Sequence, residues 1–338
     1  MKIGIIGSGW YGCHIGKVLK SMGIEIDIYE KSSEIFKHAS GKNQNRLHQG
    51  FHYCRNYKTR NQTVEGYRNF MKHYPQLTKK IVKNLYAVPK NYSLIDFHTY
   101  YSIMISSGLL FDREFEFSNQ LDNIEGVLNT NERLILVSKA KEFFMENLGE
   151  SIQTNFRVDI KNIDKTNPII KNKKYDYIID CSWGHLINNK NIFFEPTILF
   201  YYKCLVEDHP ALTFVDGELP SIYPSESNNK WTLSHVKYTP LGKCEYPHEA
   251  KQIINNLDTN FINKRRELME DSIIYYYPKF KEFFQFNDIQ LSIKTKPYGL
   301  SANRACEIKK DERLISIMSG KIDTIFTASN EIIHILGC

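Results

Sequence analysis

Residues Asn45–Asn56 read NRLHQGFHYCRN and combine two histidines, two arginines, a tyrosine and a cysteine. Histidine exchanges a proton near neutral pH, and arginine binds carboxylates and phosphates. In an extended run, alternation would direct His48, Gly50 and His52 to one side. The segment therefore predicts one wall of a reaction chamber, with His48 and His52 as candidate catalytic residues. The sequence leaves open whether Arg46 binds an anion or serves as a structural partner.

A glycine-rich motif, GSGWYG at Gly7–Gly12, precedes this segment and fits the pattern G-x-G-x-x-G. Its first glycine permits a tight turn, its second lets a pyrophosphate approach the backbone, and its third lets helix and strand pack closely. Glu30 follows Gly12 by 18 residues, where a carboxylate binds ribose hydroxyls and disfavours a 2′-phosphate. The predicted dinucleotide contacts are Gly7, Ser8, Gly9, Trp10, Tyr11, Gly12, Glu30 and Lys31.

The elements around the motif form a βαβ unit, with strands at 2–6 and 25–29 and a helix at 10–22. Further predicted strands cover 85–88, 101–106, 133–137, 155–161, 175–181, 198–207, 221–225 and 231–239, and further helices cover 62–75, 138–150 and 247–268. This order predicts an α/β protein in which a discontinuous Rossmann-type domain accompanies a second, mainly antiparallel α+β domain.

The composition is that of a folded protein with two domains. The 338 residues are 42% hydrophobic and 24% charged, and they exceed the usual size of one core. A net charge of +6 with scattered lysines does not indicate nucleic-acid binding. The 7 cysteines include no C-x-x-C pair, so we expect no metal site and a cytoplasmic location. We also expect neither a signal peptide nor a membrane span, because the apolar runs are short.

Several motifs resemble the FAD-dependent oxidoreductases related to D-amino-acid oxidase and glycine oxidase. They are GIIGSGWYGCHIGKVLKSMGIEIDIYEKS, the ASG loop at 39–41 and the run NRLHQGFHY. YDYIIDCSWG at 175–184 and SGKIDTIF at 319–326 are similar to the family's strand and C-terminal turn beside the flavin. The resemblance implies FAD as the cofactor. It implies cofactor contacts from Ser40, Asn45, Arg46, Leu47, His48, Val158, Cys181, Gly184, Ser319, Gly320, Lys321 and Ile322.

The resemblance also bears on the substrate. Arg304 lies where relatives often keep an arginine for an anionic substrate, which makes it a third candidate catalytic residue. The sequence leaves open whether His48 acts as a base, neighbours the flavin or attaches it covalently. Lys321 stands where relatives often carry histidine, so substrate identity does not transfer.

We therefore expect an FAD-binding domain built from 1–75, 138–190 and 290–338, and a substrate domain built from 76–137 and 191–289. The expected reaction is hydride transfer to the flavin from a C–N or C–OH bond of a small polar substrate, with oxygen or another electron acceptor. The RLHQGFHY run suggests, by resemblance, a sugar-linked or cell-surface precursor. The alternatives are an NAD-dependent dehydrogenase and a non-catalytic protein that binds FAD or a nucleotide.

Overall fold

The computed structural model describes residues 1–186, 191–298 and 306–338. Its helices are α1 (Trp10–Ser21), α2 (Tyr57–His73), α3 (Phe97–Ser106), α4 (Val137–Leu148), α5 (Pro247–Asn255), α6 (Thr259–Tyr276), α7 (Phe280–Phe283) and α8 (Ile325–Leu336). Its strands are β1 (Lys2–Ile6), β2 (Glu25–Tyr29), β3 (Arg46–Leu47), β4 (Thr78–Lys80), β5 (Asn84–Pro89), β6 (Phe111–Arg113), β7 (Ile124–Thr130), β8 (Arg133–Ile135), β9 (Ile152–Gln153), β10 (Ile169–Ile170), β11 (Lys173–Lys174), β12 (Tyr177–Asp180), β13 (Ile192–Cys204), β14 (Ala211–Phe214), β15 (Pro220–Pro224), β16 (Lys230–His235), β17 (Phe284–Pro297), β18 (Glu307–Asp311) and β19 (Leu314–Met318). Within these three ranges, no helix is both long and apolar enough to cross a membrane.

The glycine-rich motif follows the carboxyl end of β1, an interior strand of a six-stranded sheet ordered β18-β19-β12-β1-β2-β9. β1 runs parallel to both β2 and β12, and β12 runs parallel to β19. Strands of a covered parallel sheet are apolar, and Ile3, Ile5 and Ile28 are fully buried here. Because α1 connects β1 to β2, its N-terminus lies at the carboxyl end of β1. The predicted βαβ unit is confirmed.

A second, eight-stranded sheet has the order β17-β13-β16-β15-β14-β5-β7-β6. Its neighbouring strands are antiparallel except for the parallel pair β5 and β14. Leu85, Phe200 and Leu233 are among the buried residues of its core. The predicted domain boundary after residue 289 falls inside β17, which pairs with β13 up to Pro297. The predicted fold class, with a mainly antiparallel second sheet, is confirmed.

A small three-stranded sheet, ordered β3-β8-β4, holds the histidine-rich segment. β3 and β8 are antiparallel, with Arg46 opposite Leu134 and Leu47 opposite Arg133. The next residues beyond this register are His48 on one side and Glu132 on the other. The pairing therefore brings together two residues that lie far apart in the sequence.

The predicted strand at 101–106 is wrong, because these residues belong to α3. Asp96 caps this helix by accepting a hydrogen bond from Thr99 N at 2.9 Å. Tyr100 and Met104 are fully buried at a helical spacing of four. The capping signal and this spacing outweigh the β-branched and aromatic composition that favoured a strand.

Two other predicted elements also differ from the structure. Residues 155–161 do not form a strand, because β9 ends at Gln153 and Asn155 adopts a left-handed conformation with φ +55°. The predicted helix at 247–268 is divided into α5 and α6. Asp258 begins the second of these helices by accepting a hydrogen bond from Phe261 N at 2.7 Å.

Candidate active site

The turn between β1 and α1 has the geometry that its glycines predict. Gly7 adopts a left-handed conformation with φ +98°. A β-carbon on Gly12 would lie 1.8 Å from Gly7 O, so only glycine lets α1 approach this turn. Gly9 caps α1, and the next N–H group, that of Trp10, donates to Ser40 Oγ at 3.2 Å. Ser40 thus lies at a helix N-terminus, which is a favourable place for a pyrophosphate.

Trp10 contributes to this turn through its backbone alone. Its side chain is 1% exposed and points into the core of the six-stranded sheet. Its indole ring packs edge-on against Phe36 and Phe144, with ring centroids 4.9 and 5.9 Å apart. A side-chain contact between Trp10 and a bound dinucleotide is therefore not supported by the structure.

Glu30 directly follows β2 and is buried. Its Oε2 accepts hydrogen bonds from Ser8 N at 3.1 Å and from Ser8 Oγ at 2.8 Å, and its Oε1 accepts one from Ser32 N at 2.8 Å. A carboxylate oxygen has two acceptor sites, so capacity remains on Oε1 for a ribose hydroxyl. Lys31, the next residue, has an exposed side chain.

Three further predicted contacts lie near the carboxyl ends of β2 and β12. The Cys181 N–H donates to Ile6 O at 2.9 Å, and a β-carbon on Gly7 would lie 3.0 Å from Cys181 O. Cys181 therefore borders the glycine turn. Gly184 follows it with φ +77°, and Val158 lies in a separate buried cluster with Ile6.

The C-terminal turn that connects β19 to α8 packs against α1. The Tyr11 hydroxyl donates to Lys321 O at 2.5 Å. Ser319 and Lys321 are buried, Gly320 is exposed, and Ile322 packs against the core of the six-stranded sheet. These four residues precede α8, so the structure confirms a turn followed by a helix. Tyr11 links this turn to the glycine motif.

The histidine-rich segment forms a turn after β3, not the extended run that the sequence suggested. Gly50 adopts φ +117°, and the Tyr53 N–H donates to Gly50 O at 2.9 Å. A β-carbon on Gly50 would lie 3.0 Å from Arg60 Cγ, so this glycine faces α2. The predicted alternation is therefore wrong. His48 and His52 nevertheless lie together, with ring centroids 5.8 Å apart, because the turn brings them there.

Lys321 joins this pair of histidines from the C-terminal turn. Its Nζ lies 3.3 Å from the centroid of the Tyr53 ring and donates to Thr63 Oγ1. The Tyr53 ring centroid is 5.8 Å from that of His48 and 5.3 Å from that of His52. The structure thus groups three predicted site residues, His48, His52 and Lys321, around Tyr53.

Arg46 is buried and its guanidinium is bound by the eight-stranded sheet. It donates to Thr213 Oγ1 at 2.6 Å, to Ser221 Oγ at 2.9 Å and to Tyr86 Oη at 3.1 Å. Its Cζ also lies 4.0 Å from the centroid of the Tyr223 ring. These contacts favour the structural role for Arg46 over the binding of an external anion.

The neighbours of Arg46 anchor the segment through the backbone and the core. Asn45 has φ +50°, and its carbonyl accepts a hydrogen bond from Ile135 N at 2.7 Å. Leu47 is buried in the core of the six-stranded sheet. The segment is thus fixed immediately before His48.

Glu132 provides the fully buried carboxylate of this site. Its Oε2 accepts a hydrogen bond from Tyr86 Oη at 2.8 Å, and its Oε1 accepts one from Gln49 N at 2.8 Å. His48 Nδ1 lies 3.5 Å from the same Oε1 atom. Arg46, Tyr86, Glu132 and His48 therefore form a continuous polar chain.

Burial keeps the two histidines neutral, whereas the neighbours of Glu132 keep its carboxylate charged. Burial lowers the pKa of His48 below its ordinary value, and Glu132 opposes this effect. Burial, with the nearby His48 and Arg46, lowers the pKa of His52 to about 3. Burial alone would raise the pKa of Glu132, but His48 and Arg46 outweigh it and lower that pKa to about 2. A neutral histidine beside an anionic carboxylate is suited to accept a proton.

Buried polar atoms without a hydrogen-bond partner concentrate at the predicted cofactor segments. Buried polar groups are normally paired, so such atoms indicate a missing ligand. In the described part of the chain, atoms of this kind in these segments are Trp10 Nε1, Asn45 Oδ1, Arg46 Nε, His48 Nδ1, His52 Nδ1, Ser182 Oγ, Trp183 Nε1 and Asp323 Oδ2. Of these, His48 Nδ1 faces Glu132 Oε1 at 3.5 Å and Asp323 Oδ2 faces Lys321 Nζ at 3.8 Å. The residues present therefore fit a polar group bound between the glycine turn and the histidine segment.

Sequence reasoning missed Tyr86 and Glu132. Glu132 lies in the tight connection between β7 and β8, and its only sequence signal is an acid between two apolar strands. Arg304 lies outside the described residues. A separate open cleft of about 440 Å³, whose walls include Lys79 and Trp231, contains none of the predicted site residues.

Solved structures with the same architecture are FAD-dependent oxidoreductases. Glycine oxidase from Geobacillus kaustophilus superimposes with a TM-score of 0.74 over 97% of this chain and 91% of its own, at 10% identity. L-α-glycerophosphate oxidase from Mycoplasma pneumoniae, solved with FAD bound, gives a TM-score of 0.74 over 100% of this chain and 94% of its own, at 13% identity. At such identities these likenesses show the fold, which is that of the glycine oxidase class.

Sequence comparison identifies the family within this class. The FAD-dependent monooxygenase FPY4 of Fusarium mangiferae is 38% identical over 335 residues, covering 99% of this chain and 90% of the relative. The FAD-dependent monooxygenase kojA of Aspergillus flavus is 25% identical over 367 residues, covering 99% and 86%. No protein-family model matches the sequence. The chain belongs to the family of FAD-dependent monooxygenases, and the predictions of an FAD-dependent oxidoreductase and of FAD as its cofactor are confirmed.

Proposed function

We propose that this protein oxidises a C–OH or C–N bond of a small polar substrate, with His48 as the base. The observation that carries this proposal is the concentration of unpartnered polar atoms on Asn45, Arg46 and His52, beside the pair formed by His48 and the buried carboxylate of Glu132. When bound, the flavin supplies a hydride acceptor. The protein must then hold the substrate and take the proton from its oxygen or nitrogen.

The cofactor would be held by two groups of residues. The N–H groups at the start of α1 and the Ser40 hydroxyl would hold the pyrophosphate, and Glu30 Oε1 would accept a hydrogen bond from a ribose hydroxyl. At the other end, Asn45, His48 and the turn from Ser319 to Ile322 would border the isoalloxazine. The family assignment and this donor set favour FAD over the NAD alternative.

His48 combines the requirements of a base. Its lowered pKa keeps the ring neutral at physiological pH, and 24% of its side chain is exposed although Nδ1 is buried. The accessible part of the ring therefore lies away from Glu132, where a substrate could reach it. His52, whose pKa is lowered to about 3, stays neutral beside it. It would pack against the substrate and offer it a hydrogen bond, but no charge.

The names of the relatives favour a second candidate, a monooxygenase reaction. That reaction inserts one atom of dioxygen into the substrate and requires two electrons from a reductant. A sugar-linked or cell-surface precursor as substrate rests only on the resemblance of the RLHQGFHY run. Oxygen is an electron acceptor common to both candidates.

The purified protein and a panel of hydroxylated and amine substrates test the proposal. We expect flavin absorbance that is released on denaturation, and anaerobic bleaching by a substrate without any added reductant. Incorporation of ¹⁸O from ¹⁸O₂ with an added nicotinamide reductant, and no anaerobic bleaching, would support the monooxygenase instead. His48→Gln should retain flavin and lose at least roughly 100-fold in turnover. Full turnover in this variant would remove His48 from the mechanism.

A further inference from the structure

Glu132 lies opposite His48 because of the register between β3 and β8. Its side chain is fully buried, and two groups of the histidine segment contact one of its carboxylate oxygens. Oε1 accepts the Gln49 N–H at 2.8 Å, and His48 Nδ1 lies 3.5 Å from the same atom. One carboxylate oxygen therefore holds both the backbone after His48 and the imidazole ring itself.

The surroundings of Glu132 keep it anionic. Tyr86 Oη donates to Oε2 at 2.8 Å, and Asn84 Nδ2 lies 3.4 Å from the same oxygen. Arg46, which donates to Tyr86 Oη at 3.1 Å, supplies the balancing positive charge through this hydroxyl. A buried carboxylate that is paired and bonded in this way stays charged.

The separation of 3.5 Å between His48 Nδ1 and Glu132 Oε1 is longer than a well-formed hydrogen bond. Catalytic contacts of this kind tighten when the substrate binds. The charged groups that act on His48 are Glu132, Arg46 and Lys321, and only Glu132 favours a proton on the ring. His52 and Tyr53 pack against the imidazole as neutral rings. Glu132 is thus the group able to fix its tautomer.

We propose that Glu132 is a positioning residue for His48. It holds the ring proton on Nδ1, so that the Nε2 lone pair takes the proton from the substrate. In that step the O–H or N–H bond of the substrate breaks, a new N–H bond forms at Nε2, and the positive charge on the imidazole is stabilised by the Glu132 carboxylate. The inference rests on the proposed role of His48 as the base.

The test is NMR of the flavin-containing protein labelled with ¹⁵N-histidine, with the His48 signals assigned from the His48→Gln variant. We expect wild-type His48 to carry its proton on Nδ1. In Glu132→Gln the Nδ1–H form should cease to dominate, and His48 should titrate roughly 1 to 2 pH units lower because the carboxylate charge is gone. A role confined to packing would change neither signature.

Tyr86→Phe is the matched control. It removes a hydroxyl from the same carboxylate but keeps the ring, which packs against Phe51 with centroids 5.6 Å apart. The Nδ1–H form should persist in this variant. An equal change in Tyr86→Phe and Glu132→Gln would overturn the proposal, since it would assign the effect to general disturbance of the site.

The wild-type spectrum tests the proposal even if Glu132→Gln does not fold, because it shows which nitrogen of His48 carries the proton. A proton on Nε2 of wild-type His48 would contradict the proposal directly. These readings are independent of turnover. If His48→Gln keeps full activity, the proposed function fails while the tautomer measurement still reports on Glu132.

Discussion

The ammonium of Lys321 lies 3.3 Å from the centroid of the Tyr53 ring. This contact joins the C-terminal turn to the histidine segment, two regions separated by more than two hundred residues of sequence. A cation on an aromatic face is stabilised by the ring quadrupole. Lys321 Nζ is also 3.8 Å from Asp323 Oδ2. These two contacts hold the ammonium group between the C-terminal turn and the histidine segment, beside the proposed flavin position.

Replacing Lys321 with methionine should lower the reduction potential of the bound flavin. A nearby cation stabilises the negative charge of a reduced ring. A charge interaction of about 1–2 kcal/mol corresponds to roughly 20–40 mV in a two-electron couple. Anaerobic reduction against a reference dye measures this. Lys309→Met, on exposed β18, is the control and should not change the potential. An unchanged potential in Lys321→Met would place its ammonium away from the ring.

Gly12→Ala should abolish flavin binding and destabilise the protein by at least about 2 kcal/mol. The new β-carbon would lie 1.8 Å from Gly7 O, and neither backbone segment can move without opening the turn. The flavin-to-protein absorbance ratio and urea unfolding measure both effects. Gly149→Ala is the control, because φ is −51° there and a β-carbon meets only Met145 Cε at 3.5 Å. Normal flavin content in Gly12→Ala would contradict the assigned turn.

Glu30→Gln should weaken FAD binding by roughly 10- to 100-fold, the loss of one hydrogen bond to a charged group. The amide keeps the shape of the side chain but no longer offers two anionic oxygens to Ser8, Ser32 and the ribose. Titration of the flavin-free protein with FAD gives the dissociation constant. Glu34→Gln is the matched control, since Glu34 is exposed and pairs with Lys141. Equal affinity in wild type and Glu30→Gln would exclude the ribose contact.

The nucleotide end of the site was predictable from the sequence because its determinants are local. Gly7, Gly12 and Glu30 lie within one βαβ unit, whose spacing follows from strand and helix geometry. Glu132 was not predictable, because its approach to His48 depends on the pairing of two short strands 85 or more residues apart. Their register is set by the whole sheet rather than by a local pattern.

Arg46→Gln should destabilise the protein by about 3–5 kcal/mol, because the buried Glu132 would lose its balancing charge. Urea unfolding at neutral pH measures the change. Arg55→Gln is the control from the same segment, since Arg55 is exposed and its pairing with Asp216 is worth about 1 kcal/mol or less. A similar small loss in both variants would show that Arg46 does not balance a buried charge.

The histidine buried in α1 should make stability depend on pH. His14 Nδ1 lies 2.7 Å from Tyr74 Oη and Nε2 lies 3.1 Å from Ser329 Oγ. Burial lowers the pKa of His14 from 6.5 to about 3. In the unfolded chain, His14 therefore binds a proton below pH 6.5. In the folded protein, it does not bind this proton until about pH 3. The stabilising contribution of His14 is complete above pH 6.5 and is lost as the pH falls, by up to about 1.4 kcal/mol per pH unit.

His14→Gln removes this titration, so its free energy of unfolding should fall less than that of the wild type between pH 7 and pH 5. The difference should reach up to about 2 kcal/mol, measured by urea unfolding at both pH values. His334→Gln, which changes an exposed histidine in the last turn of α8, should follow the wild-type pH dependence. If His14→Gln also followed the wild-type curve, the pKa of His14 would be the same in the folded and unfolded states, which would contradict the lowered pKa.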